Sequence, residues 1–349
     1  MRSLTRTLPG ARMGADAVAP RPPAPVATGL TAKPWWPAAQ RAFWTLCLLI
    51  TAVLLVETGR HWDWSSAMTA LRGLPLTALL AGAVFAVLGH LLYASYDVLG
   101  REPDVEIAGA GAAVPSRWVL AVGFVSFAFK LNLGTLLGGV ALRYRLYTRL
   151  GMTVDEVTRI LAASVLTNWL GYAALAGLLL LWRPPELPAG WAVGDAALQV
   201  LGAALLLVAV AYAAACHWAE GHQWRWRSHV VTLPSSRMAL AQLGLSTLHW
   251  MLTAAVCWAL LEQRVDYASV LNALLVSAVA GLITHVPGGL GVLEAIFLAL
   301  LQARAGQADL LAAMLGYRVI FYLLPLALAA LLFFVIDRHR MAPFARRPE

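Results

Sequence analysis

Apolar residues along this chain fall into long runs, without the short alternations or narrow stripes of a soluble fold. Such runs cover about 41–57, 74–97, 157–182, 195–217, 238–261 and 309–336. A helix needs about 20 apolar residues to cross a bilayer, so these runs predict six spanning helices. Two further apolar stretches are broken. Residues 118–142 contain Lys130, Asn132, Gly134, Gly138 and Gly139, and residues 268–303 are interrupted at Pro287-Gly288-Gly289, with Gly291 just beyond. Glycine admits turns closed to other residues, and proline ends a helix, so both stretches predict hairpins of broken helix. Two full passes over 268–303 would leave the same loop parity, and only the Pro-Gly-Gly break favours the hairpin.

Charge fixes the expected orientation. Loops rich in Lys and Arg stay on the cytoplasmic side. The N-terminal stretch carries Arg2, Arg6, Arg12, Arg21, Lys33 and Arg41, and the far end carries Arg338, Arg340, Arg346 and Arg347. If 118–142 crossed the membrane, Arg143, Arg145, Arg149 and Arg159 would stand outside. If it enters and returns, every basic loop stays inside. The expected fold is therefore all-α and polytopic: about six spans plus two re-entrant helical hairpins entering from opposite sides, an inverted repeat. Gly138-Gly139-Val140 in the first hairpin echoes Gly289-Leu290-Gly291-Val292 in the second. Folds of this kind place substrate sites near the midplane, at the broken helices. The expected domains are a disordered cytoplasmic tail over 1–40, a membrane domain over 41–338 and a cytoplasmic tail over 339–349. The first apolar run starts near Phe43 and lacks a cleavage site, which argues against a signal peptide.

Composition agrees with this picture. The chain has 349 residues, 60% hydrophobic and 13% charged, where soluble domains carry about 25% charged residues. The net charge of +8 sits beside apolar spans, which points to anionic headgroups rather than nucleic acid. Cys47, Cys216 and Cys257 are far apart and within or at the end of apolar runs, so they read as buried thiols with no disulfide or metal framework. No cofactor or metal is expected. Nucleotide-binding, nucleophile-elbow and zinc-protease motifs are absent.

Strongly polar residues within apolar spans are costly and usually have a job. They are His90, Lys130, Asn132, Asn168, His249, Asn272, His285, Glu294 and Arg318. Arg318 lies near the bilayer middle and needs an anion. Glu294 is the nearest carboxylate in sequence, either as a static partner or as a placeholder for a lipid phosphate. Lys130 and Asn132, expected at the tip of the first hairpin, suit a phosphate headgroup; a buried scaffold pairing is the bland alternative. Arg143 and Arg145, with Tyr144 and Tyr147, are expected where that hairpin returns to the interface, as flanking charges or headgroup contacts. The expected lipid-binding set is Lys130, Asn132, Arg143, Arg145, His285, Glu294 and Arg318. The expected hinges are Gly134, Gly138, Gly139, Pro287, Gly288, Gly289 and Gly291. His90 and His249 read as rings satisfied by carbonyls, and His217, His222 and His229 with Trp218, Trp224 and Trp226 as an interfacial loop. Pro325 should kink the last span.

Three motifs resemble one family. They are Leu133-Gly134 through Gly138-Gly139-Val140-Ala141-Leu142-Arg143-Tyr144-Arg145-Leu146-Tyr147 with Thr167-Asn168-Trp169-Leu170-Gly171; His285-Val286-Pro287-Gly288-Gly289-Leu290-Gly291-Val292-Leu293-Glu294; and Tyr317-Arg318 through Pro325. The sequence resembles the lysylphosphatidylglycerol synthase transmembrane family over about residues 40–338. That family includes the flippase-type domain of multiple peptide resistance factor proteins. The resemblance implies a bacterial inner-membrane domain that moves phospholipid or a related lipid between leaflets. It does not imply aminoacyl-lipid synthesis, because the cytosolic synthase domain of the full-length members is expected to be absent. Membrane lipids with anionic headgroups are the expected partners, with a second copy of the chain or a separate lipid-modifying enzyme as protein partners. The competing reading is a non-transporting partner or regulator of such an enzyme.

Overall fold

The structure is a computed structural model that describes residues 64–101, 114–187, 194–218, 223–226, 229–284 and 286–338. The expected tails, the expected span 41–57, the centre of the first loop and His285 lie outside the described residues. The helices are α1 (Trp64–Gly73), α2 (Leu76–Leu99), α3 (Ser116–Gly134), α4 (Leu142–Arg149), α5 (Val154–Trp182), α6 (Asp195–Trp218), α7 (Ser236–Leu260), α8 (Tyr267–Thr284), α9 (Val292–Leu301), α10 (Gln307–Tyr317) and α11 (Leu324–Arg338). Wide π-type turns at Thr135–Ala141 and Arg318–Leu323 join α3 to α4 and α10 to α11. The two short strands, β1 (Gln223–Trp226) and β2 (His229–Thr232), form an antiparallel hairpin where a loop was expected. Helix α1 was not expected either; it packs against α10.

Local chemistry starts these helices where they start. Pro75 and Pro115 precede α2 and α3, where a missing N–H does no harm. Thr153 and Glu156 cap α5 reciprocally: the Thr153 hydroxyl accepts from the Glu156 N–H at 3.3 Å, and the Glu156 carboxylate from the Thr153 N–H at 2.7 Å. The Ser235 hydroxyl accepts from Met238 N–H at the start of α7. Helices α2, α5 and α7 form the centre, with α3 on α2 and α6 on α5. Small residues let them close: a Cβ on Gly171 of α5 would lie 2.2 Å from Ser246 Oγ of α7.

Burial is inverted relative to a soluble protein. Leu80, Val84, Val87 and Leu91 form an exposed apolar stripe on α2, and Leu324, Leu328, Leu331 and Val335 form another on α11. Asp97, Arg143, Glu294 and Arg318 are buried. In water such faces would aggregate; in lipid they are the solvent-facing surface. Among the described residues, seven helical stretches are long and apolar enough to cross a membrane. The chain is an all-α, polytopic membrane protein.

One of those stretches, 116–149, qualifies by length and composition but is not one helix. At Gly134 the backbone takes φ +82° and ψ 170° and reverses. Tyr147 then donates to the Val119 carbonyl at 3.3 Å; a continuous helix would hold those residues about 42 Å apart. At Gly138 the returning arm lies so close to α3 that a Cβ would be 2.2 Å from Lys130 N. Helices α8 and α9 form the second hairpin, turning through Gly288, Gly289 and Gly291 at φ +66°, +56° and +76°. With ten residues, α9 reaches about 15 Å, half the hydrocarbon core. The first hairpin opens at the end carrying Arg101, Arg117 and Arg149; α5 crosses from that end to the other, where the second hairpin opens among Arg183, Asp266 and Arg304.

Candidate functional site

The tips of the two hairpins meet in the interior. A Cβ on Gly288 would lie 3.3 Å from the Leu131 carbonyl. Asn132 donates from Nδ2 to Ala128 O at 2.9 Å and to Tyr322 O at 3.3 Å, tying the first tip to the wide turn of the last helix. That turn lies directly before Pro325, whose missing N–H prevents a regular α ladder there.

Arg318 sits in this turn and grips the second tip. Its Nε reaches Glu294 Oε1 at 2.9 Å, and its Nη2 reaches Oε2 at 3.1 Å. Nη1 donates to Gly288 O, and Nη2 also donates to Gly289 O at 2.8 Å. The guanidinium stacks over Tyr322 at 4.8 Å. Glycines with positive φ turn both carbonyls toward the arginine, so backbone and ion pair lock each other.

Arg143 forms the second buried pair, with a partner that sequence reasoning missed. Its Nε and Nη2 donate to Asp97 Oδ2 and Oδ1 at 2.8 and 3.1 Å. Its Nη1 donates to Gly139 O at 3.1 Å. Tyr147 donates to Asp97 Oδ2 at 2.7 Å, and Ser164 donates to Oδ1. The second span was expected to end at residue 97, but α2 continues to Leu99 and carries Asp97 inward, fully buried. The expectation that Arg143 faces the interface is therefore corrected: it is 1% exposed, with each guanidinium nitrogen held by the Asp97 carboxylate or a carbonyl. Arg145, by contrast, is exposed at the basic end, 3.3 Å from Asp337, and its neighbour Arg149 lies 2.9 Å from the same carboxylate.

Lys130 is different. It lies one helical turn before the tip rather than on it, half-buried between the arms of the first hairpin, with its stem against Gly139. Its Nζ donates to Tyr93 Oη at 2.9 Å and lies 5.0 Å from the centre of that ring. Tyr93 stacks on Phe127 at 3.7 Å and stands beside His249. No carboxylate among the described residues pairs with Lys130.

The other polar candidates have structural partners. His90 Nδ1 lies 2.8 Å from Ala86 O, and His249 Nδ1 lies 2.9 Å from Gly89 O. Asn272 donates to Arg183 O at 2.9 Å, closing the end of α5. Asn168 is buried, and its carbonyl accepts from Ser246 and Trp250. Cys216 and Cys257 are buried. Among the described residues no group of His, Cys, Asp and Glu could hold a metal.

Residues 44–329 match the family described as the Lysylphosphatidylglycerol synthase TM region. The chain belongs to that family. It is 38% identical over 305 residues to Inner membrane protein YbhN of Escherichia coli K12, covering 87% of this chain and 94% of that one. It is 27% identical over 295 residues to Uncharacterized protein slr0712 of Synechocystis, covering 82% and 88%. The matched range, 44–329, spans the part of the chain that holds both hairpins.

Proposed function

We propose that this protein translocates an anionic phospholipid, or a related lipid, between the leaflets of the bacterial inner membrane. Lys130 carries this reading. A cation in a bilayer interior is retained at high cost, and Arg143 and Arg318 meet that cost with carboxylates. Among the described residues Lys130 meets no carboxylate, only the neutral hydroxyl and ring face of Tyr93. A lipid phosphate entering between the hairpins would supply the missing anion. Arg145, exposed at the basic end, suits a first headgroup contact. Asn132, Glu294 and Arg318 would hold the two tips around that path, with the hinge glycines setting its walls. The basic end is assigned to the cytoplasm, with both chain termini on that side.

The family membership and the inner-membrane relative support this reading. The matched family region is the transmembrane part alone, so no aminoacyl-transfer chemistry is assigned. Reconstitution into liposomes containing a fluorescent anionic phospholipid tests it. Accelerated exposure of inner-leaflet probe to an external quencher, lost in Lys130→Met, is the expected result. A folded protein that moves no lipid class would favour a non-transporting partner of a lipid-modifying enzyme.

A further inference from the structure

Three ionised groups converge on one aromatic ring inside the first hairpin. The ring is that of Tyr93 on α2, 2% exposed. Lys130 Nζ lies 5.0 Å from its centre, and the Arg143 guanidinium carbon lies 5.9 Å from it. Asp97, one helical turn further along α2, takes both forks of Arg143. The nearby polar groups are Tyr96 and His90 from α2, Tyr147 from α4, Ser164 from α5 and His249 from α7; Arg101, whose charge reaches Tyr147, donates to the Val114 carbonyl at the basic end, away from the Tyr93 ring. Among the described residues, two cations against one carboxylate around the Tyr93 ring leave a surplus of one positive charge. In a poorly solvated interior the uncompensated charge is the expensive quantity, more than any single contact.

The geometry points to a charge-counting headgroup site, its count set by Asp97, that takes a phosphate with one negative charge, a phosphodiester, and disfavours a dianionic phosphomonoester. One negative charge brings the cluster to neutrality. A second would leave a surplus beside the Asp97 carboxylate. An ordinary basic patch behaves in the opposite way, because its attraction grows with ligand charge. The inference rests on the reading of Lys130 as the headgroup cation. It adds that Asp97, which would not itself touch the lipid, determines which charge is accepted.

The test uses the full chain in detergent near pH 8, where an imidazole is neutral. Fluorescent dioctanoyl phosphatidylglycerol is displaced with dioctanoyl phosphatidylmethanol or with dioctanoyl phosphatidic acid. These competitors are close in size but carry one and about two negative charges, since a phosphomonoester's second pKa is near 6. Phosphatidylmethanol is expected to displace the probe at roughly tenfold lower concentration, a difference of about 1.4 kcal/mol. Equal or tighter binding of phosphatidic acid would overturn the charge count, and this comparison needs no variant. Asp97→Asn raises the surplus to two and should invert the preference. Adding Arg143→Gln restores a surplus of one and should restore the preference. A folded Asp97→Asn with the wild-type ratio would also overturn the count. Lys130→Met should lose probe binding for either competitor; unchanged binding would sink the Lys130 reading itself and leave the count without a site. Dimethyl phosphate competing as well as the lipid would make the ligand a free phosphodiester and overturn the lipid assignment.

Discussion

Inside a bilayer a guanidinium has to be matched donor by donor, and Arg318 shows how closely. Its fork meets both Glu294 oxygens and two carbonyls of the second tip. Glu294→Gln leaves that charge buried without its partner, which costs about 3–5 kcal/mol; the expected result is a large fall in Tm in detergent. Arg318→Lys should not rescue it, because an ammonium cannot span a bidentate carboxylate and two carbonyls at once. Lys130→Met should leave Tm nearly unchanged while lipid movement is lost, because removing a costly interior cation offsets the partner that the Tyr93 hydroxyl loses. Outside the membrane, partial burial raises the Asp266 carboxyl, but hydrogen bonds from Ser269 and the charges of Arg183 and Arg304 outweigh this and hold it below the usual carboxylate range. A depressed folded pKa stabilises above the unfolded value and is lost as pH falls through the folded one. The Tm gap between wild type and Asp266→Asn should therefore be present at neutral pH and close below about pH 4. The Arg318–Glu294 pair was legible in the sequence because each charge stands alone in an apolar stretch. Asp97 was not, because hydropathy ends at the same place whether a helix stops at residue 97 or runs two residues further. Arg143 was misplaced for the same reason: without Asp97 inside, its charge looked like a flanking one.

At the scale of elements, the first hairpin depends on two glycines in different ways. Gly134 occupies a region of backbone space that is nearly glycine-only, so Gly134→Ala should cost about 1–3 kcal/mol. Gly138 is needed for lack of space: its Cβ would fall 2.2 Å from the Lys130 backbone nitrogen. Gly138→Ala has no local relief and should separate the arms, read as loss of a monodisperse peak in size-exclusion chromatography. Gly134→Ala should give a folded protein with lower Tm. Both broken stretches were readable because glycine and proline interrupt otherwise apolar runs. Helix α1 and the β1–β2 hairpin were not, since neither is long enough to carry a hydropathy signal. The wide turn at Arg318–Leu323 shows in the sequence only as Pro325.

For the whole molecule, the two hairpins open at opposite ends, and the basic residues collect at one of them. Single cysteines replacing Arg117 and Arg149 flank the first hairpin in sequence. If it turns back at Gly134, both should react with a membrane-impermeant thiol reagent from the same, cytoplasmic side, and a cysteine at Arg304 from the other. Labelling of the Arg117 and Arg149 positions from opposite sides would mean a straight crossing. The spanning helices after residue 74 and the arginines around the first hairpin were legible because lipid imposes them along the chain. The meeting of the tips was not, because it joins residues such as Asn132 and Tyr322 that are distant in sequence. We propose that Lys130, which pairs with no carboxylate among the described residues, is where a lipid phosphate rests during translocation. The most direct measurement compares outer-leaflet quenching of fluorescent anionic phospholipid in liposomes holding wild-type or Lys130→Met protein. Wild type should lose protected probe rapidly, and a folded Lys130→Met should show the protein-free rate. Equal rates for the two proteins would contradict it.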